Sequence, residues 1–363
     1  MTAEMTAEEF TERILGDAVT TMETMSIALG VRLGLYEKLA DGPLDARGLA
    51  EEAGVHPRYA REWLEQQAAS GVLTVDRDDE DPYARVFALP DGAREALLDP
   101  DSPAYAGTLP EMLVSVAELL PRLAEAYTSG EGVPYAEYGR TVRHGIAGMN
   151  RPAFRSGLAG WVAAMPDVEA RLSGGGGAVL DLGCGTGWSS IALAEAFPRA
   201  TVRGVDLDEA SVAEATEHAA GHGLSGRVTF TRGDAADPGV SGPHDSGPYD
   251  LVCLFEALHD MADPVAALRS AREVLAPGGA VLVGDEKVAP EFTAPGDLLE
   301  RLNYGFSVLH CLPATRAEGA AVEAGTVLRP GTVRSYAEAA GYAGCTELPI
   351  EHDLWRFYRL DPA

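Results

Sequence analysis

The sequence predicts an α/β protein, a doubly wound parallel sheet behind a mainly α N-terminal domain. Three observations carry that expectation. After residue 177, short apolar runs alternate with helical stretches, the order of a parallel sheet covered on both faces. The first of those runs ends in a glycine-rich turn that opens a helix. Ahead of them lie helical segments followed by two short strand-like runs. At 363 residues the chain exceeds one ordinary compact core, so two domains are expected.

Residues 10–40 place Ile14, Ala18, Met22, Met25, Ala28, Leu29, Val31 and Leu35 at helical spacing, and Asp41-Gly42-Pro43 stops that helix. Leu44-Asp45 opens a short helix through Ala53, and His56-Pro57 starts another that runs to Ser70. Gly71–Val75 and Arg85–Leu89 read as a strand pair around the polar tip Asp76–Asp81. That is the winged-helix order. Residues 101–170 are again helical, broken by Pro110, Pro121 and Pro134, and Gly174–Gly177 marks a flexible joint. Strands are expected at Ala178–Leu182, Thr201–Val205, Val228–Thr231, Tyr249–Phe255 and Ala280–Val283, with a last pair near Cys345–Ile350 and Trp355–Leu360. The domains are therefore drawn at 1–100, a helical linker at 101–173, and 174–363 with an insert near 288–330.

A composition of 46% hydrophobic and 23% charged residues is that of a globular protein, and no uninterrupted apolar run approaches the roughly 20 residues of a membrane span. Met1–Arg13 is acidic and lacks the order of a signal peptide. Cys184, Cys253, Cys311 and Cys345 are scattered, with no CxxC pair and no metal spacing, and read as reduced thiols. A cytoplasmic location without a metal or membrane partner is the expectation. The formal net charge of −28 opposes binding to phosphate backbones.

The densest signal is Ala178-Val179-Leu180-Asp181-Leu182-Gly183-Cys184-Gly185-Thr186-Gly187, a strand running into a glycine turn before the helix Trp188–Phe197. Asp206 closes the next strand, where a carboxylate can accept hydrogen bonds from ribose hydroxyls. A dinucleotide fingerprint counted from Gly183 would need glycine at Trp188, and Asp181 would repel a pyrophosphate. S-adenosylmethionine (SAM) has no phosphate and carries an ammonium and a sulfonium, so Asp181 favours it.

Residues 178–286 resemble the class I SAM-dependent methyltransferases with their Rossmann-like domain. Their D-x-G-x-G-x-G loop stands here as Asp181, Gly183, Gly185 and Gly187, followed by Gly204-Val205-Asp206, Gly233-Asp234-Ala235 and Leu275-Ala276-Pro277-Gly278-Gly279-Ala280. The resemblance implies that Asp206, with Leu207 beside it, binds the ribose, that Asp234 and the Ala235 amide bind the adenine, and that Phe255 completes the cofactor site.

Phe255-Glu256-Ala257-Leu258-His259-Asp260-Met261-Ala262-Asp263-Pro264 ends the Tyr249–Phe255 strand, at the edge where open α/β sheets bind ligands. His259 suits removal of an acceptor proton near neutral pH. Asp285 or Glu286, closing the neighbouring strand, can orient its ring. The segment is similar to the H-D-W-S-D of plant-type small-molecule O-methyltransferases, with Met261 in place of tryptophan. That resemblance implies His259 as the base, and those enzymes also carry a winged-helix dimerisation domain. Asp260 and Glu286 complete the candidate catalytic set, although Asp260 also reads as a cap and Asp263 as an N-cap before Pro264. His310, in the apolar insert Tyr304–Pro313, is a further polar group for a substrate pocket.

The expected function is methyl transfer from SAM to a small molecule, at oxygen, by a homodimer joined through the 10–40 helix. A SAM-binding decarboxylase or pericyclase stays open. A DNA-binding regulator is the rival from another class, but Arg58 and Arg61 balance Glu62 and Glu65, and the tip Asp76–Asp81 is acidic.

Overall fold

A computed structural model of the chain describes residues 5–237, 239, 248–319 and 322–362. Met1–Glu4 of the acidic start, and residues 320 and 321 of the expected insert, lie outside the described residues. Two compact units form: residues 1–117 with 144–152, and residues 118–143 with 153–363. The stretch 101–173 is thus divided between the units and is no separate linker. Gly174–Gly177 lies inside the second unit, where Gly176 at φ 90° makes the tight step from helix Pro166–Gly174 into the next strand.

In the first unit, the 10–40 helix is two helices, Ala7–Arg32 and Leu35–Ala40. Gly34 separates them at φ 67°, a conformation that ends an α-helix and suits glycine. Thr6 and Glu9 form a reciprocal capping box at the start of the long helix. Leu44–Asp45, read above as a helix start, forms strand β1, and Asp45 then caps helix Ala46–Ala53 through the amides of Arg47 and Gly48. Pro57–Ala69 follows, and β2 (Thr74–Arg77) and β3 (Val86–Ala88) build a three-stranded sheet in the order β1-β3-β2. Tyr36, Leu49, Leu64 and Phe87 form its core.

The Ala7–Arg32 helix buries only Ala28 and Gly30. Phe10, Ile14, Leu15, Val19, Met22, Met25 and Leu29 are exposed along it. By length and composition it is apolar enough to cross a membrane, although Asp17 and Glu23 interrupt its apolar run.

The second unit is built on seven strands: β4 (Ala178–Leu182), β5 (Thr201–Asp206), β6 (Val228–Arg232), β7 (Tyr249–Phe255), β8 (Leu275–Glu286), β9 (Tyr342–Glu347) and β10 (Trp355–Pro362). Their order is β6-β5-β4-β7-β8-β10-β9, with β10 antiparallel to β8 and β9 and the other neighbours parallel. The central strands are buried on both sides, as their near-continuous apolar runs require. Alternate residues divide between two cores. Val179, Leu251, Cys253, Phe255 and Leu282 meet Phe154, Leu158, Trp161 and Leu172, whereas Leu180, Val252, Leu254 and Val283 meet Leu268, Val333 and Tyr358. The order of strand addition reverses at β4: β5 and β6 lie on one side, β7 and β8 on the other. The crevice beyond the carboxyl ends of β4 and β7 is the ligand position such a sheet creates.

Candidate active site

The loop after β4 is shaped by its glycines. Gly183, Gly185 and Gly187 all have positive φ, at 73°, 50° and 85°. A Cβ at Gly183 would come within 2.5 Å of the Ala257 Cβ, so the loop lies tightly against the segment after β7. A Cβ at Gly185 would meet nothing within 4 Å; that position opens onto free space, as a ligand cradle needs. Asp206 at the end of β5 holds the loop in place: its Oδ2 accepts the Gly185 N–H at 2.7 Å and its Oδ1 accepts the Asp208 N–H at 2.9 Å.

Asp181 is only 1% exposed, and its Oδ2 accepts hydrogen bonds from the Ser189 and Ser190 hydroxyls, each at 2.6 Å. It fastens the glycine turn to helix Trp188–Ala196 rather than standing at the mouth of the turn, while Oδ1 is buried with no hydrogen-bond partner. Burial pushes both the Asp181 and the Asp206 carboxyls up to about 6. The free Oδ1, the open space at Gly185 and a carboxylate at the end of β5 fit a ligand that brings positive charge and ribose hydroxyls. They do not fit a pyrophosphate, which would meet two carboxylates.

Leu207 is exposed beside Asp206, Asp234 is exposed with its Oδ1 accepting the Ala236 N–H, and Ala235 is half-buried against the core. These positions leave an apolar edge and a polar edge for a nucleoside. Phe255 corrects the sequence reading: it is 4% exposed and packs in the core against Phe154 and Trp161, with ring centroids 5.6 and 5.7 Å away. Strand alternation puts it on the face opposite Leu254, which the sequence shows, but not which face carries the large aromatic core.

His259 lies in a 3₁₀ turn, Leu258–Asp260, just past β7. It is 3% exposed, and its Nδ1 is 2.8 Å from Asp285 Oδ1 at the end of β8. The orienting carboxylate is therefore Asp285 and not Glu286 of the candidate set. Strand alternation decides this, because adjacent residues leave the sheet on opposite faces. Nδ1 donates to Asp285, which leaves Nε2 as the atom able to take a proton. Burial alone would push the imidazolium pKa down, but the Asp285 and Asp260 carboxylates outweigh it and hold it well above the ordinary histidine range. A bound sulfonium would act in the opposite direction, favouring the neutral ring.

Glu286 instead faces Glu256, the one described non-glycine residue with positive φ, at 53°. The Glu256 N–H donates to Gly284 O at 2.8 Å, which holds the strained turn closed. Burial raises both carboxyls: Glu286 is pushed up to about 7 although its hydrogen bond with Glu256 pulls it down, and Glu256 is held well above the usual carboxylate range by burial and then by the Glu286 charge. Sequence reasoning passed over Glu256; an acidic residue between the strand end and His259 was its only signal. Asp263 caps helix Pro264–Glu273 through the Ala266 N–H at 2.8 Å, its N-cap reading.

The insert after β8 consists of helix Leu298–Phe306, a π-helical turn Ser307–Cys311 and helix Leu312–Ala317. Tyr138 OH donates to Leu309 O at 2.9 Å and Tyr127 OH to Val308 O at 3.1 Å, tying the insert to the 118–143 segment of the same unit. His310 is buried edge-on between Tyr135 and Tyr138, with ring centroids at 5.7 and 4.5 Å, and its Nε2 has no partner. Cys311 comes next to His259 and Asp260.

Residues 173–316 match the family model described as a methyltransferase domain, and residues 21–96 match the Rv2258c-like winged HTH domain. The chain thus holds a match to a methyltransferase domain and, earlier in sequence, a match to a winged helix-turn-helix domain. It is similar to the 27-O-demethylrifamycin SV methyltransferase of Amycolatopsis mediterranei, 34% identical over 32% of this chain and 40% of that protein. A ubiquinone biosynthesis O-methyltransferase of Pseudomonas savastanoi is 35% identical over 31% of this chain and 46% of that one. The chain thus spans less than half the length of these curated relatives. Over the whole chain the fold is that of a mitomycin 7-O-methyltransferase (TM-score 0.64, 22% identity, 98% of both chains). It is also that of human N-acetylserotonin methyltransferase solved with SAM (TM-score 0.71, 17% identity, 100% of both chains).

Proposed function

We propose that this protein transfers the methyl group of SAM to an oxygen of a small-molecule acceptor. The observation that carries the reading is the buried His259–Asp285 pair, beside a glycine loop whose carboxylates suit a cationic cofactor. The O-methyltransferase relatives support the choice of oxygen. When bound, SAM supplies an electrophilic methyl on a sulfonium. Asp206, Asp234 and the Asp181 Oδ1 would hold its ribose, adenine and ammonium. His259 Nε2 accepts the proton of the acceptor hydroxyl, Asp285 fixes the ring, and Tyr135, Tyr138 and the insert keep water out. Product analysis tests the reading. Each methylated product should appear with one S-adenosylhomocysteine; product without S-adenosylhomocysteine would mean decarboxylase or pericyclase chemistry instead.

DNA binding is the weaker reading. On helix Pro57–Ala69 Arg58 pairs with Glu62 and Arg61 with Glu65, and Arg85 on the wing pairs with Glu65 and Asp78. Arginines held by carboxylates are poor phosphate ligands.

A second copy of the chain is the partner proposed for the exposed face of Ala7–Arg32. Seven large apolar side chains left in water on one helix are costly, and a two-fold contact would cover them. Light scattering at micromolar concentration should give about twice the 38.2 kDa chain mass, and a monomer mass would end this proposal. Free cysteines, three of them buried, suit the cytoplasm as its location.

A further inference from the structure

We propose that His259, Asp260 and Cys311 form a site for a thiophilic divalent cation of the zinc class, and that its occupancy reversibly inhibits the enzyme. The binding rests on geometry alone; the inhibition rests on His259 being the base, as proposed above. The three residues come from the turn after β7 and from the insert, and one ligand atom of each lies within 4.8 Å of the others. Imidazole, carboxylate and thiolate are the donor types zinc takes, and three protein ligands with an open fourth position are a common zinc arrangement.

Two further observations point to a cation. Asp260 Oδ1 is buried with no hydrogen-bond partner, although it is 3.5 Å from His259 Nε2. That separation is long for a charged hydrogen bond, which closes to about 2.7–2.9 Å. It matches the edge of a tetrahedron about zinc, since two ligands at about 2.0–2.1 Å from the metal lie roughly 3.3–3.4 Å apart. Second, His259 Nδ1 is already engaged by Asp285 at 2.8 Å, the outer-shell carboxylate that aims the other ring nitrogen at a metal.

The surroundings supply the charge. Glu256, Glu286 and Asp285 stand close by, and among the described residues no lysine or arginine pairs with any of them or with Asp260. The cation would enter as the hydrated ion, shed water, and displace the Cys311 thiol proton and the His259 Nε2 proton to solvent, so that one S–H and one N–H bond are replaced by one S–metal and one N–metal bond with no redox change. The Nε2 lone pair would then be held by the metal and could not accept a proton from the acceptor.

The test uses the purified full-length protein, freed of metal with a chelator, and zinc itself. Zinc should bind at about one per chain in competition with a chromophoric chelator, and cobalt in its place should give a thiolate-to-cobalt charge-transfer band in the near ultraviolet. Cys311→Ser and Cys311→Ala should each weaken zinc binding at least tenfold and abolish the cobalt band, while keeping the SAM affinity of the parent. Methyl transfer by the parent should fall as zinc binds and recover with chelator, and Cys311→Ala should resist the same zinc concentration. No stoichiometric binding, or binding unaffected by substitution at Cys311, would overturn the site. Zinc bound through Cys311 without loss of activity, or with a gain, would overturn the inhibition. If the protein transfers no methyl at all, the binding and cobalt measurements still decide the site by themselves.

Discussion

Replacing His259 by alanine lowers turnover by roughly 10²–10⁴-fold, the usual contribution of a positioned general base, while SAM affinity stays within about twofold. The separation of the two effects follows from the structure. The imidazole hydrogen-bonds Asp285 and faces Asp260 and Cys311, and among the described residues no hydrogen bond or ion pair joins it to the glycine loop or to Asp206. Substituting Asp285 by asparagine costs less. The ring can still be oriented by the amide oxygen, but the carboxylate that stabilises the imidazolium is gone. The double variant then falls well short of the product of the two single losses, because both act through one proton acceptor. Steady-state rates with SAM and a phenol or hydroxy-acid acceptor, in chelator-treated buffer, measure all three. An alanine variant that keeps most of its activity between about pH 6 and 9 would remove His259 from the mechanism. It would leave proximity to an already ionised acceptor as the source of rate.

The second large effect is on the cofactor. Asp206→Ala weakens SAM binding by about 1.5–3 kcal/mol, or about one to two orders of magnitude in Kd. Two losses combine: the ribose loses its acceptor, and the Gly185 N–H loses the carboxylate that holds the loop. Asp206→Asn, which keeps one acceptor for Gly185, should lie between the parent and the alanine variant. Gly185→Val eliminates binding, because a valine at φ 50° is strained and its side chain fills the open space a ligand needs. Affinity also depends on pH with a definite sign. Asp181 and Asp206 titrate near 6 in the ligand-free chain, and a cationic ligand prefers their ionised forms. Binding therefore tightens as pH rises through about 6 and levels off above it. Calorimetry across that range measures it, and affinity independent of pH would remove both carboxylates from the cofactor site.

Local sequence determined the elements and the chemistry of the loop. The β4 run ends in a glycine turn that only a small set of backbone conformations can make, and Asp206 falls at the next strand end, so a cofactor cradle was legible in residues 178–206 alone. His259 was legible for the same reason, as the polar residue just past an apolar strand. The partner of His259 was not. Asp285 and Glu286 are neighbours in sequence that leave β8 on opposite faces, and only the folded sheet decides which face meets the ring. Phe255 was misplaced by the same ambiguity, since alternation gives two faces without saying which one meets Phe154 and Trp161. Cys311 is 52 residues from His259, and its approach depends on how the insert folds back over the strand ends. Short-range spacing records the backbone's own preferences; contacts between distant segments depend on which packing buries the most apolar surface, and only the folded chain settles that.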